Sequence, residues 1–122
     1  MSESILTNTK KILGIAEDYE AFDVDIIMHI NSVFSTLQQI GVGPELGFEI
    51  ENKMDVWSTY LGEDNYLLNM VKTYMYMRVR LMFDPPATSF AIDSMQKQID
   101  QMEWRLQVAT DRPLVPVPEI IP

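Results

Sequence analysis

Cysteine is absent from this chain, which removes two readings at once. Without it there is no disulfide scaffold and no thiolate metal site. The absence is compatible with a reducing cytoplasm. Basic residues are scarce, nine Lys and Arg against 18 Asp and Glu, for a net charge of −9. Such a chain stays soluble and is repelled by phosphate, which argues against nucleic acid or anionic membrane as a partner. No apolar run reaches about 18 residues, so no membrane span is expected. The opening residues, MSESILTNTKK, lack a basic stretch followed by an apolar one, so no signal peptide is expected. What remains is ordinary for a globular protein: 122 residues, 47% of them hydrophobic, suggest one domain with a real core.

Helical periodicity dominates the pattern. SESILTNTKKILGI predicts a short first helix with Ile5, Leu6, Thr9, Ile12 and Leu13 on one side and Gly14 as its stop. An acidic link, EDYEAFD, follows. Asp23 is placed to cap a helix over 23–40, in which Ile27, Ile30, Phe34 and Leu37 recur, flanked by Ile26, Val33 and Ile40. Gly41 is placed to end it in a left-handed conformation. GVGPELGFEIENK reads as a loop in which FEIE offers a very short strand. MDVWSTYL predicts a short helix stopped by Gly62.

The stretch KTYMYMRVRLMFDPP is ambiguous by itself. Taken in twos, Met75, Met77, Val79, Leu81 and Phe83 line a strand face; taken in 3.6s, the segment ends a helix that is apolar almost all round. It continues the stripe Leu67, Leu68, Val71, Tyr74 and Met75, and about 19 residues is long for a strand. A helix over 65–83, capped by Asp64 and ended by Asp84-Pro85-Pro86, is therefore expected. Thr88 or Ser89 then caps a last helix over 89–108, with a narrow seam of Ile92, Met95, Ile99, Met102 and Leu106. Four prolines in RPLVPVPEIIP exclude a helix or central strand there. The expected fold is all-α, a bundle of four to five helices over residues 1–111 with an extended proline-rich tail over 112–122.

Signs of chemistry are missing. The single histidine, His29, lies away from Ile27 and Phe34 with no partner constellation, as an exposed or interface side chain does. Glu17, Asp18, Glu20, Asp23 and Asp25 lack the spacing, the glycine and the final glutamate of a calcium loop, and read as a solvated edge. GVGPELG carries no Lys-Ser/Thr and no basic neighbours, so it does not cradle phosphate. No catalytic residue, metal site or cofactor is expected, and no helix shows a basic face for reading DNA.

Binding features are present instead. The 65–83 helix carries Tyr76, Met77, Leu81 and Phe83 off its main stripe, which fits either a central helix of the bundle or one partly covered by another subunit. Arg78 and Arg80 suit both, because Arg lays its stem on apolar surface and pairs its head with a carboxylate. Trp104 falls about 140° from Ile99, on the far side of the last helix from its seam, and Phe90 lies near the same side. Large aromatics on a polar face point to a contact beyond the seam, unless the N-terminal helix covers them. Tyr76, Arg78, Arg80, Phe90 and Trp104 are the candidate subunit-interface residues. Leu114, Val115, Val117, Ile120 and Ile121 in the tail are candidates for docking on a neighbour or another protein, the alternative being an unordered terminus.

The segments FDVDIIMHINSVFSTLQQIGVGP, VKTYMYMRVRLMFDPPATSF and QIDQMEWRL together resemble the head–tail connector (adaptor) proteins of long-tailed bacteriophages and prophages. The resemblance covers roughly residues 3 to 110. It implies a small all-helical structural subunit without enzymatic activity, located in the virion at the head–tail junction and assembled in the bacterial host cytoplasm. It further implies a ring of identical subunits under the portal protein that extends the DNA channel toward a tail-side completion or stopper protein, with DNA passing unbound and no membrane involved. A reading from another class is a small phage- or prophage-encoded cytoplasmic regulatory binding protein without enzymatic activity.

Overall fold

The computed structural model describes residues 3–62 and 65–111, with the side chain of Asp111 outside the description. Five helices follow in order: α1 (Ile5–Leu13), α2 (Asp23–Ile40), α3 (Trp57–Tyr60), α4 (Leu68–Phe83) and α5 (Ser89–Asp111). Among the described residues there is no strand, only an isolated antiparallel bridge between Ser4 and Val56. The all-α expectation holds, and the proline-rich tail lies outside the described residues.

Helix α4 sits at the centre, which resolves the strand-or-helix ambiguity of its sequence. Leu68, Val71, Tyr74, Met75, Met77 and Val79 are all buried. These positions circle most of the helix, so the surplus apolar residue Met77 is covered by the chain's own bundle. Helices α2, α5 and α1 pack around it. Tyr76, Leu81 and Phe83 are only partly buried. The helix starts three residues later than the pattern suggested, at Leu68. Asn65 shapes the entry, its Oδ1 accepting from the Leu67 amide at 2.8 Å. Asp64, the expected cap, lies outside the described residues.

Helix α2 contributes Ile26, Ile30, Val33, Phe34 and Leu37 to the core, while Ile27 is half-buried. Its expected cap needs correction. Phe22 occupies the N-cap without a side-chain bond, and Asp23 is the first helical residue. The Asp23 carboxylate turns instead toward Lys10, 2.8 Å away. It still lies in the first turn with Asp25, where negative charge complements the helix dipole. Gly41 closes the helix in the left-handed region as expected, with φ 106°.

Helix α1 is capped by Ser4, whose Oγ accepts from the Thr7 amide at 3.2 Å. Its buried face is Ile5, Leu6, Thr9 and Lys10, rotated toward Lys10 from the expected one. Ile12, placed on that face by the sequence reading, falls at its margin and is 44% exposed. Backbone bonds from Ile5 N to Asp55 O and from Trp57 N to Glu3 O, each 3.0 Å, tie the N-terminus to the lead-in of α3.

FEIE forms no strand. Asn31 of α2 takes the place of a neighbouring strand, donating to Ile50 O at 3.0 Å and accepting from Ile50 N at 2.8 Å. One side-chain amide thus satisfies both backbone groups of a residue that is 2% exposed. Phe34, Phe48, Trp57 and Tyr60 interlock beneath this loop, with Phe34 and Tyr60 rings 4.6 Å apart.

Candidate subunit-interaction surface

Helix α5 is held to the bundle by a narrow seam and a polar junction. Ile99 and Leu106 are fully buried, while Ile92, Met95 and Met102 are partly so. The 3-4-3-4 spacing puts these five on one line, which is why a helix of 23 residues, about 35 Å long, touches the core along one strip only. Thr88 caps it, accepting from the Ala91 amide at 3.1 Å.

The polar junction joins α4 to α5 and identifies the partner of Arg78. Glu103 Oε2 accepts from the Tyr74 hydroxyl at 2.6 Å and from Arg78 Nη1 at 3.0 Å. Arg78 also donates to the Tyr74 oxygen at 3.1 Å. Burial pushes the Tyr74 hydroxyl well above the usual phenol range, and the bond to Glu103 reinforces the shift. A hydroxyl held protonated there stays a donor to the carboxylate. Arg80 has a different environment. It donates to the Tyr76 hydroxyl at 3.0 Å and to the Asp84 carbonyl at 3.2 Å, where the chain leaves α4. Tyr76, Arg78 and Arg80 are all partly exposed, on or beside these junctions.

The other two candidates face outward. Phe90 is 82% exposed and Trp104 is 64% exposed. The α1 helix does not cover Trp104. Phe90, Lys97, Gln101, Trp104 and Val108 fall within about 40° of a common line, roughly opposite Ile99 and Leu106. All five are exposed, so Phe90, Trp104 and Val108 stand on an outer face of α5 that also carries Lys97 and Gln101, with Arg105 beside it. The tail candidates Leu114, Val115, Val117, Ile120 and Ile121 lie outside the described residues.

A second exposed apolar region, which the sequence reading missed, sits where α1, α2 and α4 meet. Tyr19, Phe22 and Phe83 pack edge to face in a row, with ring centroids 5.6 and 5.2 Å apart. His29 closes the row at 6.4 Å from Phe83 and is half-buried, at the margin of the α2 core face. Tyr19 and Phe22 remain 50% and 40% exposed. Their loop is fixed by Lys10, only 2% exposed, whose ammonium donates to the carbonyls of Glu17 at 3.0 Å and Tyr19 at 2.8 Å. The Asp23 contact completes it as an ion pair without the geometry of a directed hydrogen bond.

These surfaces belong to a small helical protein that presents outward-facing aromatics on separate elements. The phage connector protein family matches residues 5–113, nearly the whole chain. The chain therefore belongs to the phage connector protein family, a structural class of the phage particle. No curated protein and no solved structure matches it. Among the described residues no helix is long and apolar enough to cross a membrane.

Proposed function

We propose that this chain is a non-catalytic head-to-tail connector subunit whose copies associate into a ring. The ring lies under the portal protein in the virion, is assembled in the host cytoplasm, and extends the DNA channel toward a tail-side completion or stopper protein. The observation that carries this is the outer face of α5, with Phe90 and Trp104 exposed opposite the buried seam. Two large aromatics on one exposed face suit a protein contact better than water. Tyr76, Arg78 and Arg80 lie partly exposed and extend the candidate interface. The net charge of −9, repeated around a lumen, would keep DNA central and free to slide. The apolar tail over 112–122 would dock on the portal or on a neighbouring subunit, leaving residues 1–111 as the helical domain. Its removal should spare folding and weaken that attachment in a portal pull-down.

Trp104→Ala tests the reading. Exposed substitutions change stability by about 0.5 kcal/mol or less, so the melting temperature should hardly move. Ring assembly, followed by sedimentation and by co-assembly with the portal, should weaken. A variant that assembles normally but melts much earlier would make Trp104 a packing residue and remove the support for the ring.

A further inference from the structure

We propose that the outer face of α5 docks on the corner formed by Tyr19, Phe22 and Phe83 of a second copy, with Trp104 on the aromatic row and Arg105 against the carboxylates around it. This rests on the ring reading above and names its two contacting surfaces.

The corner is acidic, and the outer side of α5 carries two cations that no acid among the described residues engages. Three cations, Lys10, Lys72 and Arg78, are paired within the chain. Lys97 and Arg105, both exposed on α5, have no carboxylate partner among the described residues. Around the corner Glu17, Asp18, Glu20 and Asp25 are exposed and equally unpaired, and they outnumber the nearby cations Lys11, Lys53 and Arg80. On α5 the acids Asp93 and Asp100 lie along one edge of the stripe and Arg105 along the other. Trp104 lies nearer the acid edge, but Lys97 falls within about 20° of Trp104, so a copy docking through the middle of the stripe would bring Lys97, with Arg105 at the rim, to unpaired acid.

The corner also has the shape of a receptor. Leu13, Gly14, Ile15, Phe22, Phe83 and Asp84 line an open hollow of about 450 Å³. Leu13, Ile15, Phe22 and Phe83 give it an apolar side, and its loop is held by the buried Lys10 ammonium, so little ordering is lost on binding. The two surfaces sit on different sides of the molecule. Helices α1 and α5 each pack on both α2 and α4, with no packed interface between them, and so occupy opposite grooves of that pair. The hollow is lined by the end of α1 and the residues after it together with the end of α4, whereas the stripe lies on the outer face of α5. Two different patches on opposite sides make a head-to-tail contact, which repeats from copy to copy.

The chain has no cysteine, so single introduced cysteines report proximity cleanly. Arg105→Cys and Glu20→Cys, both at exposed positions, would be mixed and treated with a short bismaleimide. A covalent dimer from the mixture, with neither variant forming it alone, is expected. Dimer from Arg105→Cys alone would show α5 pairing with itself and overturn the proposal, as would cross-linking of neither. In parallel, sedimentation would compare Arg105→Glu with Arg105→Glu/Glu20→Lys. The single reversal should weaken self-association about tenfold or more and the double should restore it. Wild-type oligomers that ignore both charge changes and give no mixed cross-link would refute these surfaces and leave the ring standing. A wild-type chain that stays monomeric at every concentration and beside the portal would instead refute the ring itself.

Discussion

Lys10→Met tests whether one buried ammonium holds the link between α1 and α2. Methionine keeps an unbranched stem in the same space and removes the charge and its donors. The side chain is 2% exposed, and its ammonium reaches two carbonyls and one carboxylate at 2.8 to 3.0 Å. Hydrogen bonds from a charged donor contribute about 1.5–3 kcal/mol each, and breaking a fully buried pair costs about 3–5 kcal/mol. Asp23 is 23% exposed, so its orphaned carboxylate recovers part of its hydration. The two carbonyls belong to an exposed loop and regain water once it loosens. The expected loss is therefore about 2–4 kcal/mol, or roughly 8–15 °C in melting temperature for a chain of this size. Lys72→Met is the control, because its pair with Glu3, at 3.1 Å, is 24% and 57% exposed. That loss should stay below about 1 kcal/mol. Urea unfolding followed by circular dichroism reads both, and amide exchange over 15–22 should accelerate in the Lys10 variant alone. Equal losses in the two variants would refute the assignment of Lys10 as the organiser of this loop.

Gly43 has φ 89°, and an added Cβ would lie 2.5 Å from the Tyr60 ring, so Gly43→Ala should cost about 2–4 kcal/mol. Gly14, with φ 84° and open space around it, should cost only about 1–2 kcal/mol as alanine, and a larger loss there than at Gly43 in denaturant titrations would contradict this. Burial raises the hydroxyls of Tyr60 and Tyr74 above their unfolded value of about 10, so the folded state binds these protons more tightly. Their contribution is complete below about pH 10 and is lost as pH rises further, so alkaline unfolding and late tyrosinate absorbance should coincide. Early, fully reversible titration of every tyrosine in the folded protein would contradict it. The isolated protein should not bind duplex DNA measurably at physiological salt, and salt-sensitive submicromolar binding in a fluorescence titration would revive a regulatory role.

What could be read from the sequence follows from the range over which each feature acts. The α5 seam and the place of Trp104 opposite it depend only on helical period, and both emerged from counting residues, whereas cover by α1 was open until the fold showed Trp104 exposed. The end of α4 was legible because Pro85 and Pro86 act on their immediate neighbour. The strand-or-helix ambiguity of 72–83 had to be settled by length, since α4 is buried on most sides and shows little amphipathic contrast. Features that join distant segments left no local trace. Asn31 reaches Ile50 across 19 residues, and Glu103 reaches Arg78 across 25. Lys10 was left off the expected buried face because lysine is almost never fully buried, and two of its partners are backbone carbonyls, which any residue supplies. Asp23 was misread for the same reason: its position suits a cap, but a buried cation nearby competes for its carboxylate. The aromatic corner was missed because Phe83 lies far along the chain from Tyr19 and Phe22 and joins them only once α4 is docked. Half of the proposed contact was thus visible as a periodic stripe on one helix. The other half is a product of tertiary packing, held in place by a lysine whose role appears only in the folded chain.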